Sequence, residues 1–137
     1  MANALYDWGR EAFLMGDVAW DSDETRLILI DEGADSIDLV NDDNLDDRAA
    51  GARIAVMSTG MTGKTSVGAG VADATDVVFP TVSGVSVESI DCYKHTGVES
   101  TSRLLFNLDT GTGLPVTPNG GDITVVFDSG ANRIFKL

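Results

Sequence analysis

The sequence has one cysteine, one histidine, three prolines and nine basic residues among 137, and each shortage removes a class of explanation. A lone Cys92 cannot close an internal disulfide, so stability must come from packing, and synthesis in a reducing cytosol fits this usage. One thiol and one imidazole cannot assemble a zinc site of ordinary composition within one chain. No apolar run reaches the roughly 18 residues that a membrane-spanning helix needs. The opening MANALYDWGREAFLMG is amphipathic and carries Asp7, Arg10 and Glu11, which interrupt the apolar core that a secretory signal requires.

Positive charge is scarce, and the shortage is uneven. Against 9 Lys and Arg stand 22 Asp and Glu, a net charge of −13. Residues 1–50 hold 14 acids with only Arg10, Arg26 and Arg48, a net of −11, while the remainder is close to balance at −2. Such a field repels phosphate, so neither nucleic acid nor an anionic membrane surface is an expected partner, whereas a basic protein surface or a cation is. The hydrophobic content of 43% is that of a chain that folds, and the length suits a single domain over residues 1–137.

The closing stretch TGTGLPVTPNGGDITVVFDSGANRIFKL reads as two strands, residues 122–128 and 132–137. They are expected to form a hairpin around which the earlier strands pack, with Ile123, Val125 and Phe127 on one buried face. Residues 3–15 read as the one helix: Leu5, Trp8, Ala12 and Met15 share a side, Asn3 can cap the start and Gly16 can take a left-handed stop. The run TRLILID at residues 25–31 is apolar on both faces and implies a strand covered on both sides. Residues 31–47 hold eight acids and no base before Arg48. Mutual repulsion implies a solvated surface loop there, with a short strand at residues 36–40. Further strands are expected at residues 52–58, near 64–67, from 77, at 87–95 and at 103–108, where Leu104, Phe106 and Leu108 share a face. Seven or eight short strands and one N-terminal helix define a mainly β fold, an antiparallel β-sandwich or a jelly-roll-like barrel.

Motifs for chemistry fail on inspection. STGMTGKT at residues 58–65 ends like a phosphate-binding loop, but Ser58 stands where the motif needs Gly and SVGAG is a poor helix start, so a hairpin or loop is the better reading. Cys92 and His95 lie three apart, which on a strand sends them to opposite faces and excludes a nucleophile–base pair. The aspartates in NDDNLDD could offer oxygen to calcium, yet they lack the EF-hand spacing, and a solvated loop is favoured. No catalytic residue, cofactor or metal is expected, and the chain is not read as an enzyme.

Three segments carry a likeness to a known group: ANALYDWGREAFLMGDVAW, VSGVSVESIDCYKHTGVESTSRLL and TGLPVTPNGGDITVVFDSGANRIFKL. They resemble small proteins encoded in the structural gene modules of tailed bacteriophages. Within that group, the size and β-rich character look like a head decoration or cement protein. The resemblance implies a homo-oligomer, made in the bacterial cytoplasm, that binds the major capsid protein on the outer face of the virion. It points to the N-terminal helix or its neighbouring acidic loop as the interface, with Leu5, Trp8, Trp20, Asp42, Asp43 and Asp46 as candidates. A neck, tail or baseplate component, or a module that binds the host surface, is the alternative.

Overall fold

The computed structural model describes residues 3–131 and 133–137. In chain order it contains β1 (Ala4–Leu5), α1 (Asp7–Leu14), β2 (Thr25–Ile30), β3 (Arg53–Val56), β4 (Thr65–Ser66), β5 (Val71–Asp73), β6 (Val77–Phe79), β7 (Ser89–Lys94), β8 (Leu104–Leu108), β9 (Ile123–Val125) and β10 (Phe135–Lys136). Single 3-10 turns lie at Leu45–Asp47, Ala50–Ala52 and Glu99–Thr101. The fold is mainly β, its sheets are antiparallel, and its one α-helix stands near the N-terminus, as the strand pattern implies. Among the described residues no sheet closes into a barrel, so the jelly-roll-like barrel is set aside and a layered, sandwich-like arrangement remains.

The organising element is a five-stranded sheet in the order β1-β8-β7-β2-β3. Within it β2, flanked by β7 and β3, sends side chains alternately into two cores as a strand requires: Leu27 and Leu29 enter one cluster, Ile28 and Ile30 the other. The expectation of a strand covered on both sides therefore holds. The larger core lies between this sheet and two small sheets, β10-β5-β4 and β6-β9, and is closed by Ala12 of the helix. Phe135 is its aromatic hub, with Phe13, Trp20 and Phe106 at ring-centroid distances of 5.5, 5.2 and 5.4 Å. The smaller core, on the opposite face, gathers Tyr6, Ile28, Ile30, Leu45, Tyr93 and Leu104.

Several expectations need correction. The C-terminal hairpin does not form: β9 pairs with β6, and β10 pairs with β5. Alternation marks a strand but is blind to its partner, and here each half of the supposed hairpin has a better apolar face elsewhere. The expected start of that second strand, Asn132, lies outside the described residues. The helix begins at Asp7, because Ala4 and Leu5 are drawn into β8 and Tyr6 takes the capping position in extended backbone. Asn3 does not cap it; its Oδ1 accepts from the Asp109 and Thr110 amides, each at 2.9 Å. Gly16 does supply the left-handed stop, at φ +77°.

The helix also buries a different stripe from the one its large apolar residues suggest. Gly9 and Ala12 face inward, while Trp8 and Met15 are 44% and 66% exposed. In β8, Leu104 and Phe106 do not share a face, because an irregularity opposite Cys92 and Tyr93 lets Leu105 join Phe106 in the larger core and leaves Leu104 with the smaller one.

Candidate functional site

The acidic segment after β2 is not a loosely solvated loop and contains no strand at residues 36–40. It folds back over the large sheet, burying Leu45 and packing Ile37 and Leu39 onto the smaller core. What overcomes its charge is Arg48, which is completely buried. Its Nε donates to Asp91 Oδ2 at 2.8 Å, one terminal nitrogen donates to Glu32 Oε1 at 3.2 Å and the other to the Asp35 carbonyl at 3.1 Å. One guanidinium fork thus ties both ends of the segment to the sheet, which an ammonium could not do with the same geometry.

Asp91 is the anchor beneath. Its Oδ1 accepts from the Tyr6 hydroxyl and from Asn107 Nδ2, both at 2.8 Å, and Asn107 Nδ2 also donates to Ser89 Oγ at 3.0 Å. The Ser89 hydroxyl in turn donates to Glu32. Burial pushes the Asp91 carboxyl up, against the opposing pull of Arg48, Asn107 and Tyr6. The Tyr6 phenol is raised first by burial and then by Asp91. For Arg48, burial alone would lower the pKa, but Asp91, Tyr6 and Glu32 outweigh it and hold the charge in place. None of this network is visible in the residue order, apart from the position of Arg48 as the first base after the acidic run.

On this clasped platform the structure brings three of the six candidate interface residues together. Trp8 projects from α1 with the Arg103 guanidinium 5.7 Å from its ring centroid, and Arg103 pairs with Asp43 Oδ2 at 3.2 Å. Asp43, Asp46 and Asp47 place carboxylate oxygens within 4.8 Å of one another. Asp47 is committed to local structure, because it accepts from the Asp43 and Asn44 amides and these bonds depress its pKa. Asp46 stays exposed. The surface so formed is an indole, a cation and a row of carboxylates held on rigid supports.

The other three candidates lie elsewhere. Leu5 packs from β1 onto the larger core. Trp20 turns its ring onto Phe135 and its Nε1 to the carbonyls of Thr65 and Asp73, each at 3.2 Å, with Lys64 over its ring. Asp42 is half-buried, and its pKa is pushed up to about 6 by burial, with Asp38 and Asp35 adding to the effect and Arg48 opposing it.

The remaining motifs find structural places. Cys92 is fully buried in the larger core, and desolvation pushes its thiol pKa well up, away from the thiolate form that a nucleophile needs. The phosphate-loop lookalike runs into β4 and a hairpin to β5, with no helix to meet a phosphate. Among the described residues no helix is long and apolar enough to cross a membrane. A cleft of about 700 Å³ opens beside β9, with Leu29, Ile90, Leu108, Val125, Phe127 and Ile134 among its apolar walls and Asn3, Thr110, Asp128 and Arg133 among its polar ones. The sequence offers no sign of it, because its walls come from six separated stretches.

No family model matches the chain, and no curated protein is significantly similar to it.

Proposed function

We propose that this chain is a structural protein of tailed-bacteriophage particles, a decoration or cement protein that binds the major capsid protein on the outer shell as a homo-oligomer and stabilises the lattice. The reading rests on the likeness of three long segments to proteins of phage structural modules. The observation on the molecule that carries it is the exposed Trp8, flanked by Arg103, Asp43 and Asp46 and set on a clasped, rigid support. Trp and Arg are the residue types that most often dominate binding energy at protein interfaces. The chain's net charge of −13 favours a basic partner surface. A shell offers many equivalent sites, so modest contacts per copy suffice when each copy bridges neighbours.

Counting this chain against the major capsid protein in purified virions tests the proposal. Hundreds of copies, in a simple ratio to the capsid subunit, are expected from shell symmetry. Particles lacking the chain should release their DNA at a lower temperature. About a dozen copies or fewer would assign it to a neck or tail ring and overturn the cement reading.

A further inference from the structure

Helix α1 has eight residues, a length that is marginal in water for an isolated helix, and among the described residues no side chain caps its start. Distant parts of the chain hold that start instead. The Asp7 amide, one of the orphan donors of the first turn, donates to the Leu39 carbonyl of the acidic segment at 2.9 Å. The Tyr6 amide donates to the Leu105 carbonyl of β8 at 3.0 Å. The Tyr6 hydroxyl reaches Asp91, the same carboxylate that holds Arg48. The capping residue of the helix and the clasp of the acidic segment therefore share one buried anchor on β7. Trp8 follows Tyr6 by two residues and is carried by this start.

The rest of the Trp8 surface is fixed differently. Asn44 and Arg103 form an antiparallel bridge, and the Leu104 amide donates to the Asp43 carbonyl at 3.1 Å, so Asp43 and Arg103 are set against each other by backbone. We propose that the start of α1 and the acidic segment order and release as one unit around Asp91, which makes the fully buried Arg48 and Asp91 positioning residues for Trp8. When Arg48 loses its grip, the segment withdraws the Leu39 carbonyl, the first turn loosens and the indole leaves Arg103. Linkage makes the dependence mutual: a partner that binds the ordered Trp8 surface tightens the segment by the factor that the ordered segment adds to its affinity. The use of this coupling in capsid binding rests on the function proposed above, whereas the coupling itself is a property of the free chain.

The chain has two tryptophans, so one indole can serve as the control for the other. Trp20 packs on the larger core, away from this anchor, with its Nε1 on Thr65 and Asp73. In NMR spectra of the full chain, Arg48→Lys should shift and broaden the Trp8 indole N–H signal while that of Trp20 stays in place. Amide exchange in α1 and in residues 31–42 should accelerate by one common factor, about tenfold or more, because a single opening exposes both. Tyr6→Phe removes one hydroxyl and keeps the ring, so it serves should Arg48→Lys fail to fold. It should accelerate exchange in residues 31–42, to which it does not belong, as much as in α1. The proposal is overturned if the segment loosens while α1 keeps its protection, or if Tyr6→Phe leaves residues 31–42 unchanged. It is equally overturned if both indole signals shift alike, which marks a general loosening. Capsid occupancy is a separate arm: Tyr6→Phe should bind capsids about fivefold or more weakly, although residue 6 is buried. Coupling on the free chain with unaltered occupancy would support the proposal and remove Trp8 from the capsid interface.

Discussion

At Gly9 a methyl group has no room: a Cβ there would stand 2.6 Å from the Leu105 carbonyl oxygen and 2.8 Å from that of Leu104. Both neighbours are backbone of β8, an interior strand of the sheet, and cannot turn aside, so the helix lies on β8 only because residue 9 lacks a side chain. Gly9→Ala should destabilise the protein by about 1–3 kcal/mol, the usual cost of overpacking, despite the better helix propensity of Ala. A urea melt at unchanged slope checks it. Asp42 offers a pH test at the same scale. Its folded pKa of about 6 exceeds the ordinary value of 3.8, so between these values the folded state holds more of the proton than the unfolded state does. Its contribution therefore makes the protein more stable as pH falls from about 7 towards 4, and Asp42→Asn should remove that slope. Below that window the order reverses, because Asp38 and Asp47, whose pKa values are depressed by hydrogen bonds to backbone and side-chain donors, lose their contribution as they protonate. Denaturation midpoints across the range for both proteins decide it.

Among the elements, the acidic segment shows how one buried cation can reorganise a stretch that composition describes as solvated. Removing the fork by Arg48→Met leaves Asp91 buried without its partner, a situation that costs about 3–5 kcal/mol. Arg48→Lys keeps the charge but cannot reach Asp91, Glu32 and the Asp35 carbonyl at once, so it should recover only part of that loss. Hydrogen exchange should show where the energy goes: amides across residues 31–52 lose protection together in both variants, while β7 and β8 keep theirs. If the segment were the solvated loop that its charge implies, both substitutions would be nearly silent. The elements also explain the failed hairpin. Ile123 and Val125 alternate as a half-buried strand should, and Phe135 is a strand residue too, but alternation holds no information about which edge lies alongside.

For the molecule as a whole, the Trp8 platform, with Arg103, Asp43 and Asp46 beside it, is a surface apart from the cleft beside β9, so substitutions in one should spare the other. If the chain binds capsid as proposed, Trp8→Ala should cost about 2 kcal/mol or more of that binding, the range of an interface anchor, with little effect on folding because Trp8 is 44% exposed. Occupancy of capsids by the variant at limiting concentration measures it, and a thermal melt of the free protein separates folding from binding. Unaltered occupancy would remove Trp8 from the interface.

Composition and periodicity by themselves determined that this chain is mainly β with one short N-terminal helix and that β2 is covered on both faces. These are local consequences of side-chain alternation, of apolar content and of residue counts. Tertiary structure alone decided the partners of β9 and β10, the burial of Gly9 in place of Trp8, the clasp of Arg48 on Asp91, and the cleft beside β9. Each of these joins residues far apart in the chain through a contact whose energy depends on a specific distance and on exclusion of water. Such a contact leaves no periodic mark in the order of the residues that make it.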